Sequence, residues 1–451
     1  MRNLNINTDV LIVGAGPAGM SLAINLGKKN ISTIVVDQKP KKDIGRKACG
    51  DALSPNSTRR LYEFCGIKQP YGEEISENLK TAHFRPVSDF ELSLDFISQT
   101  IDRQKYGQRL LNSLKDYPWI EVKTEHKVIG TLIDDTSVIG CKVRQKDGKK
   151  IDVYAKIVVD CSGVTGIVRR GIPDSISDKF PKKLKKSETI VSYREIIETS
   201  EPHPYQYQMR IEYHDEMPPP GYFWIFSKGE KKLNVGVGWL LNENNKNANV
   251  KSIFETIRGR IFPNAKVIDG VGDTLPARLP LYSMVCNGFL TCGDSATLVN
   301  PISGEGHGPA LLSAYYASDI VEKAVRNNDC SEEALWEYNL KIWDYYGHEG
   351  GLGIAVHKLL AAVPFSDFSF LFQEGIISQD DVDAIMGSTA VKLPIFQKIV
   401  KGMKRPKLLF KVAKGLLLTE RIKTLSKKYP KDPSKFYKWK KKIEKIEEKE
   451  L

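Results

Sequence analysis

Two hydrophobic periods organise this chain. Residues 8–13, TDVLIV, form an apolar run of the kind that a parallel strand buried on both faces requires. MSLAINLGKK then places apolar residues at helical spacing, and STIVVD (32–37) is a second buried strand ending at Asp37. From 38 to about 120 the pattern is patchy. Residues 121–163 alternate at period two around a KDGKK turn and close on the apolar run KIVVD (156–160). Most of 176–275 reads as strands, with aromatic residues concentrated in PYQYQMRIEYHD and GYFWIFSKG. GFLTCGD (288–294) returns to a buried strand, and a long helical pattern begins near Gly306. Everything beyond 330 is helical in period, and the final KKKIEKIEEKE reads as a frayed or disordered end.

This order predicts an α/β protein. A Rossmann-type nucleotide-binding domain spans 1–175 and 276–345. An antiparallel, sheet-rich substrate domain over 176–275 interrupts it, and a helical region with a basic tail follows over 346–451.

GAGPAG, between the first strand and the first helix, supplies the candidate chemistry. Gly14 permits the tight turn, Gly16 lets backbone approach a pyrophosphate, and Gly19, with Ala18 beside it, lets helix and sheet pack closely. The helix N-terminus offers free N–H groups and partial positive charge to phosphate. Asp37 is placed to accept hydrogen bonds from ribose hydroxyls, which fits FAD or NAD.

Charge changes the picture only once it is located. The net charge is +12, yet from Lys398 onward 19 Lys and Arg face 6 Asp and Glu, so the rest of the chain is close to neutral. In KRPKLLFKVAKGLLL, Lys407, Lys411 and Lys414 share one helical face, and Leu409, Val412, Ala413 and Leu416 another. An interfacial helix meeting anionic lipid and a solvated helix docked on the core both satisfy this pattern. No apolar run reaches the roughly 18 residues of a membrane span. Seven cysteines at irregular spacing, without a C-x-x-C pair, suggest neither a disulfide framework nor a metal site. A reducing, cytoplasmic setting follows, with the tail as the point of peripheral contact with the membrane face. No nucleic-acid partner is expected.

Further motifs carry a resemblance. FLTCGDSATLVNPISGEGHGPALLSA (289–314) resembles the second FAD fingerprint of the flavoprotein hydroxylase superfamily. VVDCSG (158–163) resembles its D-A-T-G segment, and DRQKYGQRLL (102–111) its R-x-x-x-x-x-x-L helix. RKACGDALSP, GYFWIFSKGEKKLNVGVG and LPARLPLYSMVCNGFLTCGD together resemble the geranylgeranyl reductase family, most nearly the archaeal enzymes that saturate digeranylgeranylglycerophospholipids. The likeness spans roughly 8–345, with Ala48, Ser227 and Leu279 departing from expected proline, proline and arginine. The resemblance implies FAD contacts at Arg103, Val128, Asp294, Gly306 and His307, and at Cys49, Gly50 and Ala52 of the loop beside the flavin. It leaves three readings of Cys49 open: a backbone contact, a thiol that orders or protonates the reacting alkene, and a plain buried cysteine.

The implied reaction adds hydride and proton to an isolated C=C bond of an isoprenoid lipid. The proton goes to the less substituted carbon and the hydride to the tertiary one, where positive charge is best tolerated. Tyr222, Trp224 and Phe226 alternate along a strand and so share one face, a candidate apolar wall for the isoprenoid. His307, Glu305, Tyr222 and a water are positional candidates for the proton donor. NAD(P)H, a ferredoxin or another low-potential carrier protein would serve as electron donor. Two rival readings use the same fold. An aromatic hydroxylase would carry D-G where this chain has VVDCSG, and a prenyl-binding escort protein would have no need of Asp37, Asp294 and the glycine-rich helix start.

Overall fold

The computed structural model describes residues 5–53, 64–87, 90–300, 304–362, 365–376 and 402–448. Its first sheet runs, in spatial order, through the strands Val285–Cys286, Phe289–Thr291, Lys150–Asp160, Asn5–Val13, Thr33–Val36 and Ile120–Lys123. From Phe289–Thr291 to Ile120–Lys123 these pair in parallel, with Val13 opposite both Val36 and Asp160. The hairpin Lys127–Ile133 and Val138–Arg144 joins through the long strand Lys150–Asp160. The continuous apolar runs follow from burial on both faces: Val10, Leu11, Ile12, Val35, Val158 and Val159 have no solvent exposure. Helices Pro17–Lys28 and His307–Arg326 pack together on this sheet. Asn5–Val13 lies between strands that follow it by different routes, so the carboxyl edge on either side of it is a topological switch point.

The second sheet has the order Lys266–Pro276, Thr189–Glu198, Lys232–Leu240, Gly221–Ser227, Gln208–Glu212, Ile75–Val87, Phe90–Ile101 and Ala52–Leu53. The expected 176–275 domain is therefore incomplete: three strands between 52 and 101 belong to this sheet rather than to the first. Nor is the sheet wholly antiparallel, because Gln208–Glu212 pairs in parallel with Ile75–Val87. Register shifts at Ile75/Glu77, Leu79/Thr81 and Phe84/Val87 break the alternation there, which is why the sequence pattern looks patchy. Helix Val250–Ile261, capped by Asn249, covers one face with Phe254 and Ile257 against Phe223 and Ile225. Tyr222, Trp224 and Phe226 project from the other face.

The described part of the segment expected to fray, up to residue 448, is docked. Helix Phe436–Glu447 buries Phe436, Trp439 and Ile443. Trp439 packs edge-on against Trp343 (4.8 Å between centroids) and Tyr429 (4.6 Å). The indoles of Trp336, Trp343 and Trp439 donate to the carbonyls of Pro430, Leu281 and Leu425, which removes the cost of burying them. Helix Pro406–Ser426 crosses helix Glu337–Ala362 where Gly347 and Gly351 leave room for Ser426 and Ile422. Its buried line is Leu408, Gly415, Leu418, Thr419 and Ile422. Leu416, expected on an apolar face with Leu409 and Val412, points to solvent instead.

Candidate functional site

The switch point gathers the predicted cofactor residues. Gly14 has φ +107°, and a Cβ there would lie 2.4 Å from the Cys161 carbonyl oxygen, so only glycine closes this turn against the neighbouring strand end. Gly19 supports the same approach, since its Cβ would fall 1.9 Å from the Gly14 oxygen. The space over Gly16 is open, which leaves its backbone available to a ligand. Asp37 accepts from the Ala15 N–H at 2.7 Å through one oxygen and from the Lys39 N–H at 2.7 Å through the other. It therefore braces the glycine turn as well as standing at the strand end. His126 N–H bonds the Asp37 carbonyl, which brings the strand bearing buried Val128 alongside. A cavity beside the turn is lined by Ala15, Gly16, Pro17, Gly45, Arg103 and Tyr106. Helix Pro17–Lys28 enters this region with no capping side chain and no acidic residue in its first turn.

Arg103 links the two fingerprints. Its guanidinium donates to His307 Nδ1 at 2.9 Å, and Tyr106 meets the imidazole edge-on. Nδ1 is thus an acceptor, and the neutral ring carries its proton on Nε2, a buried atom with no partner among the described residues. Burial, then the charges of Arg103 and Lys47, holds His307 well below the ordinary 6.5. This removes it from the proton-donor candidates, because at neutral pH it has no imidazolium proton to give. The unfolded chain takes up a proton on this ring as pH falls through about 6.5, while the folded chain does not, so stability declines below that pH. His307→Gln is expected to flatten the acid side of a Tm–pH curve; an unchanged curve would contradict the buried neutral imidazole.

Asp294, at the end of strand Phe289–Thr291, lies 3.2 Å from the Cβ position of Gly306, and a side chain at 306 would crowd it. Its other oxygen accepts from Lys47 Nζ at 2.6 Å, and the Asp294 charge raises the lysine's pKa. Lys47 joins this cluster, and motif reading missed it although it directly precedes the Ala48–Cys49 pair. Glu305, another proton-donor candidate, accepts from the Gly308 N–H at 2.7 Å and so caps the helix start.

The loop 46–53 spans the two sheets. On one side Lys47 pairs with Asp294, next to the first sheet, while Arg46 and Arg194 pair with Asp269, which belongs to the second. On the other, Cys49 and Asp51 are bonded to Asn234. Ala52 begins the short strand Ala52–Leu53 at the edge of the second sheet. Gly50 lies under the aromatic strand, its Cβ position 2.5 Å from the Phe226 ring. Trp224 lies over Gly236, at 2.1 Å from that residue's Cβ position. Trp224 and Phe226 are accordingly buried against the 46–53 loop and the adjacent strand, and Tyr222 alone of the three is partly exposed. The Tyr222 hydroxyl is 3.3 Å from the Cβ position of Gly304, and burial followed by the nearby Cys49 charge pushes it up to about 12. The three rings thus form a supported edge, not an open wall.

A parallel sheet with its glycine turn, strand-end carboxylates and helix start at one edge defines a dinucleotide-binding flavoprotein. Residues 7–192 match the FAD binding domain family, and residues 188–272 match the geranylgeranyl reductase catalytic domain. The chain thus joins an FAD binding domain to a geranylgeranyl reductase catalytic domain, the make-up of an FAD-dependent oxidoreductase. It is 27% identical over 446 residues to the digeranylgeranylglycerophospholipid reductase of Sulfolobus acidocaldarius, covering 97% of each chain. It is 26% identical over 357 residues to the enzyme of the same name from Picrophilus torridus, covering 76% of this chain and 85% of that one. In fold it is similar to a geranylgeranyl bacteriochlorophyll reductase-like protein of Thermoplasma acidophilum, with TM-score 0.75 at 20% identity over 91% of this chain and all of the other. A flavin-dependent brominase shares the fold at TM-score 0.65, 17% identity and 89% coverage of this chain.

The residues present fit FAD. The backbone over Gly16 is open, Arg103 lines the cavity next to it, and the His307 Nε2 proton is a buried donor without a partner among the described residues. Each is a group that a phosphate or a flavin carbonyl would satisfy.

Proposed function

We propose that this protein reduces the isolated C=C bonds of geranylgeranyl chains on a digeranylgeranylglycerophospholipid. The observation that carries the reading is the position of Cys49. Its loop is tied to the cofactor cradle through Lys47–Asp294 and to the catalytic-domain sheet through Asn234. FAD, when bound and reduced, supplies the hydride. The Gly14–Gly19 turn, Arg103 and the His307–Asp294 corner would hold the cofactor. Cys49 gives its S–H proton to the less substituted alkene carbon. Tyr222, protonated at neutral pH because its pKa stands near 12, contributes an O–H beside the thiol. The isoprenoid lies along the half-buried apolar residues Phe84, Leu92, Phe96 and Ile211, next to Trp224 and Phe226 and under Phe372. An apolar site that excludes water strengthens proton donation to a carbon with no polar handle.

Anaerobic mixing tests this. FAD-loaded protein, reduced with dithionite and freed of excess reductant, is expected to regain its oxidised-flavin absorbance when the unsaturated lipid is added. A fully saturated lipid should leave it bleached. Persistent bleaching with the unsaturated lipid would reject the assignment.

Lipid access is a second part of the proposal. Among the described residues no helix is long and apolar enough to cross a membrane. Helix Pro406–Ser426 and the residues before it expose Met403, Phe410, Leu416 and Leu417, with Lys407 and Lys414 among them. Apolar side chains ringed by cations suit an anionic lipid surface. Phe410→Ser with Leu417→Ser is expected to weaken sedimentation with anionic phospholipid vesicles by at least about tenfold, from loss of roughly 1.5 kcal/mol or more per inserted side chain. Equal sedimentation of variant and parent would place the lipid contact elsewhere.

A further inference from the structure

Asn234 is wholly buried in the strand Lys232–Leu240, yet no polar atom of its amide is idle. Nδ2 donates to the Cys49 carbonyl at 2.7 Å and to Asp51 Oδ2 at 3.0 Å. Oδ1 accepts from the Trp224 indole N–H at 2.9 Å. Two acceptors on one side and one donor on the other fix which way the amide points. One side chain therefore touches both the backbone that carries the thiol and a ring of the aromatic strand.

Asp51 completes the arrangement. It sits in the left-handed region at φ +63°, nearly without solvent exposure. Its N–H donates to Cys49 Sγ at 3.3 Å, so the turn that strains Asp51 also aims a donor at the sulfur. Its Oδ2 accepts from Lys228 Nζ at 3.0 Å, and the same ammonium donates to the Ile101 carbonyl at 2.6 Å. Gly50, between Cys49 and Asp51, has no room for a side chain against Phe226. The loop is thus held by hydrogen bonds at 49 and 51 and by ring packing at 50.

An apolar residue in place of Asn234 would leave the Cys49 carbonyl and the Trp224 indole without this partner and take one donor from the buried Asp51–Lys228 pair. We propose that Asn234, with Asp51 and Lys228, is a positioning residue that sets the Cys49 thiol against the aromatic strand. Its catalytic consequence rests on the reading of Cys49 as the acid; the positioning itself does not. None of the three touches the glycine turn, Asp37 or Asp294.

The test uses FAD-loaded Asn234→Asp, which keeps shape but replaces the donor with an acceptor facing the Cys49 carbonyl and the Asp51 carboxylate. Iodoacetamide labelling is followed by mass spectrometry of the Cys49 peptide, with Cys330, the other cysteine that is not buried, as internal reference. The Cys49-to-Cys330 rate ratio is expected to change at least tenfold. Turnover should fall at least tenfold, with KM and FAD affinity within twofold of the parent. Asp51→Asn, which the left-handed backbone accepts, should shift the labelling ratio in the same direction by about threefold. It decides the matter if Asn234→Asp does not accumulate as folded holoprotein. Ratios and turnover within twofold of the parent in the folded variants would overturn the proposal. Normal turnover in Cys49→Ala would instead remove the acid role alone, because the labelling ratios would still report on the loop.

Discussion

Cys49→Ala is expected to lower turnover by about a hundredfold or more while FAD remains bound. The thiol stands on the loop between the sheets, and its sulfur's one described partner is the Asp51 N–H. Nothing in the glycine turn or at Asp294 depends on it. An isolated alkene has no carbonyl to polarise, so a positioned acid carries much of the activation, and positioned acids contribute about 10²–10⁴ in rate. Tyr222 cannot fully replace it, because burial pushes its phenol up to about 12 and leaves it a weak acid. Cys49→Ser should be nearly as slow, because a hydroxyl is weaker still. Turnover assayed beside the flavin-to-protein ratio separates the outcomes. Normal turnover with normal flavin would reduce Cys49 to a residue that contributes only its backbone.

Asp160→Asn is expected to give the largest loss of stability, about 3 kcal/mol or more, and to weaken FAD retention. Asp160 ends the central strand Lys150–Asp160 with no solvent exposure. One oxygen accepts from the Ser162 N–H (3.0 Å), the Ser162 hydroxyl (2.6 Å) and the Ser295 hydroxyl (3.1 Å). The other accepts from the N–H groups of Val168 (3.0 Å) and Arg169 (3.1 Å). An amide turns one oxygen into a donor, and on either side it then faces a backbone N–H that cannot rotate away. Ser295 adjoins Asp294, so the disturbance reaches the cofactor corner directly. Thermal unfolding of the apoprotein and equilibrium dialysis of FAD measure the two effects. An unchanged Tm would mean that the surrounding donors find other partners.

The parts of the site that could be read from the sequence are those whose logic is local. Gly14, Gly16, Gly19 and Asp37 lie within one strand–turn–helix–strand unit, and Asp294 sits a dozen residues from His307. The parts that escaped are set by contacts across the chain. Lys47 finds Asp294, and Cys49 finds Asn234, only when the loop is laid between two sheets. A signal for Asn234 did exist, since it is a polar residue entering the apolar alternation of KLNVGVGWL. The strands between 75 and 101 were hidden by bulges that shift the period. The last helix was hidden by its lysines, although Phe436, Trp439 and Ile443 stand at i, i+3 and i+7, the spacing of a buried stripe. Strand alternation puts Trp224 and Phe226 on one face, but packing against Gly50, far away in sequence, and Gly236, on the adjacent strand, decides that they are covered.

The most direct measurement is the mass of the lipid after incubation of the FAD-loaded protein with dithionite and a digeranylgeranylglycerophospholipid. The account predicts product heavier than substrate in steps of two hydrogens, and none from FAD and dithionite without protein. Lipid of unchanged mass, recovered from protein whose flavin is bound and reduced, would contradict it.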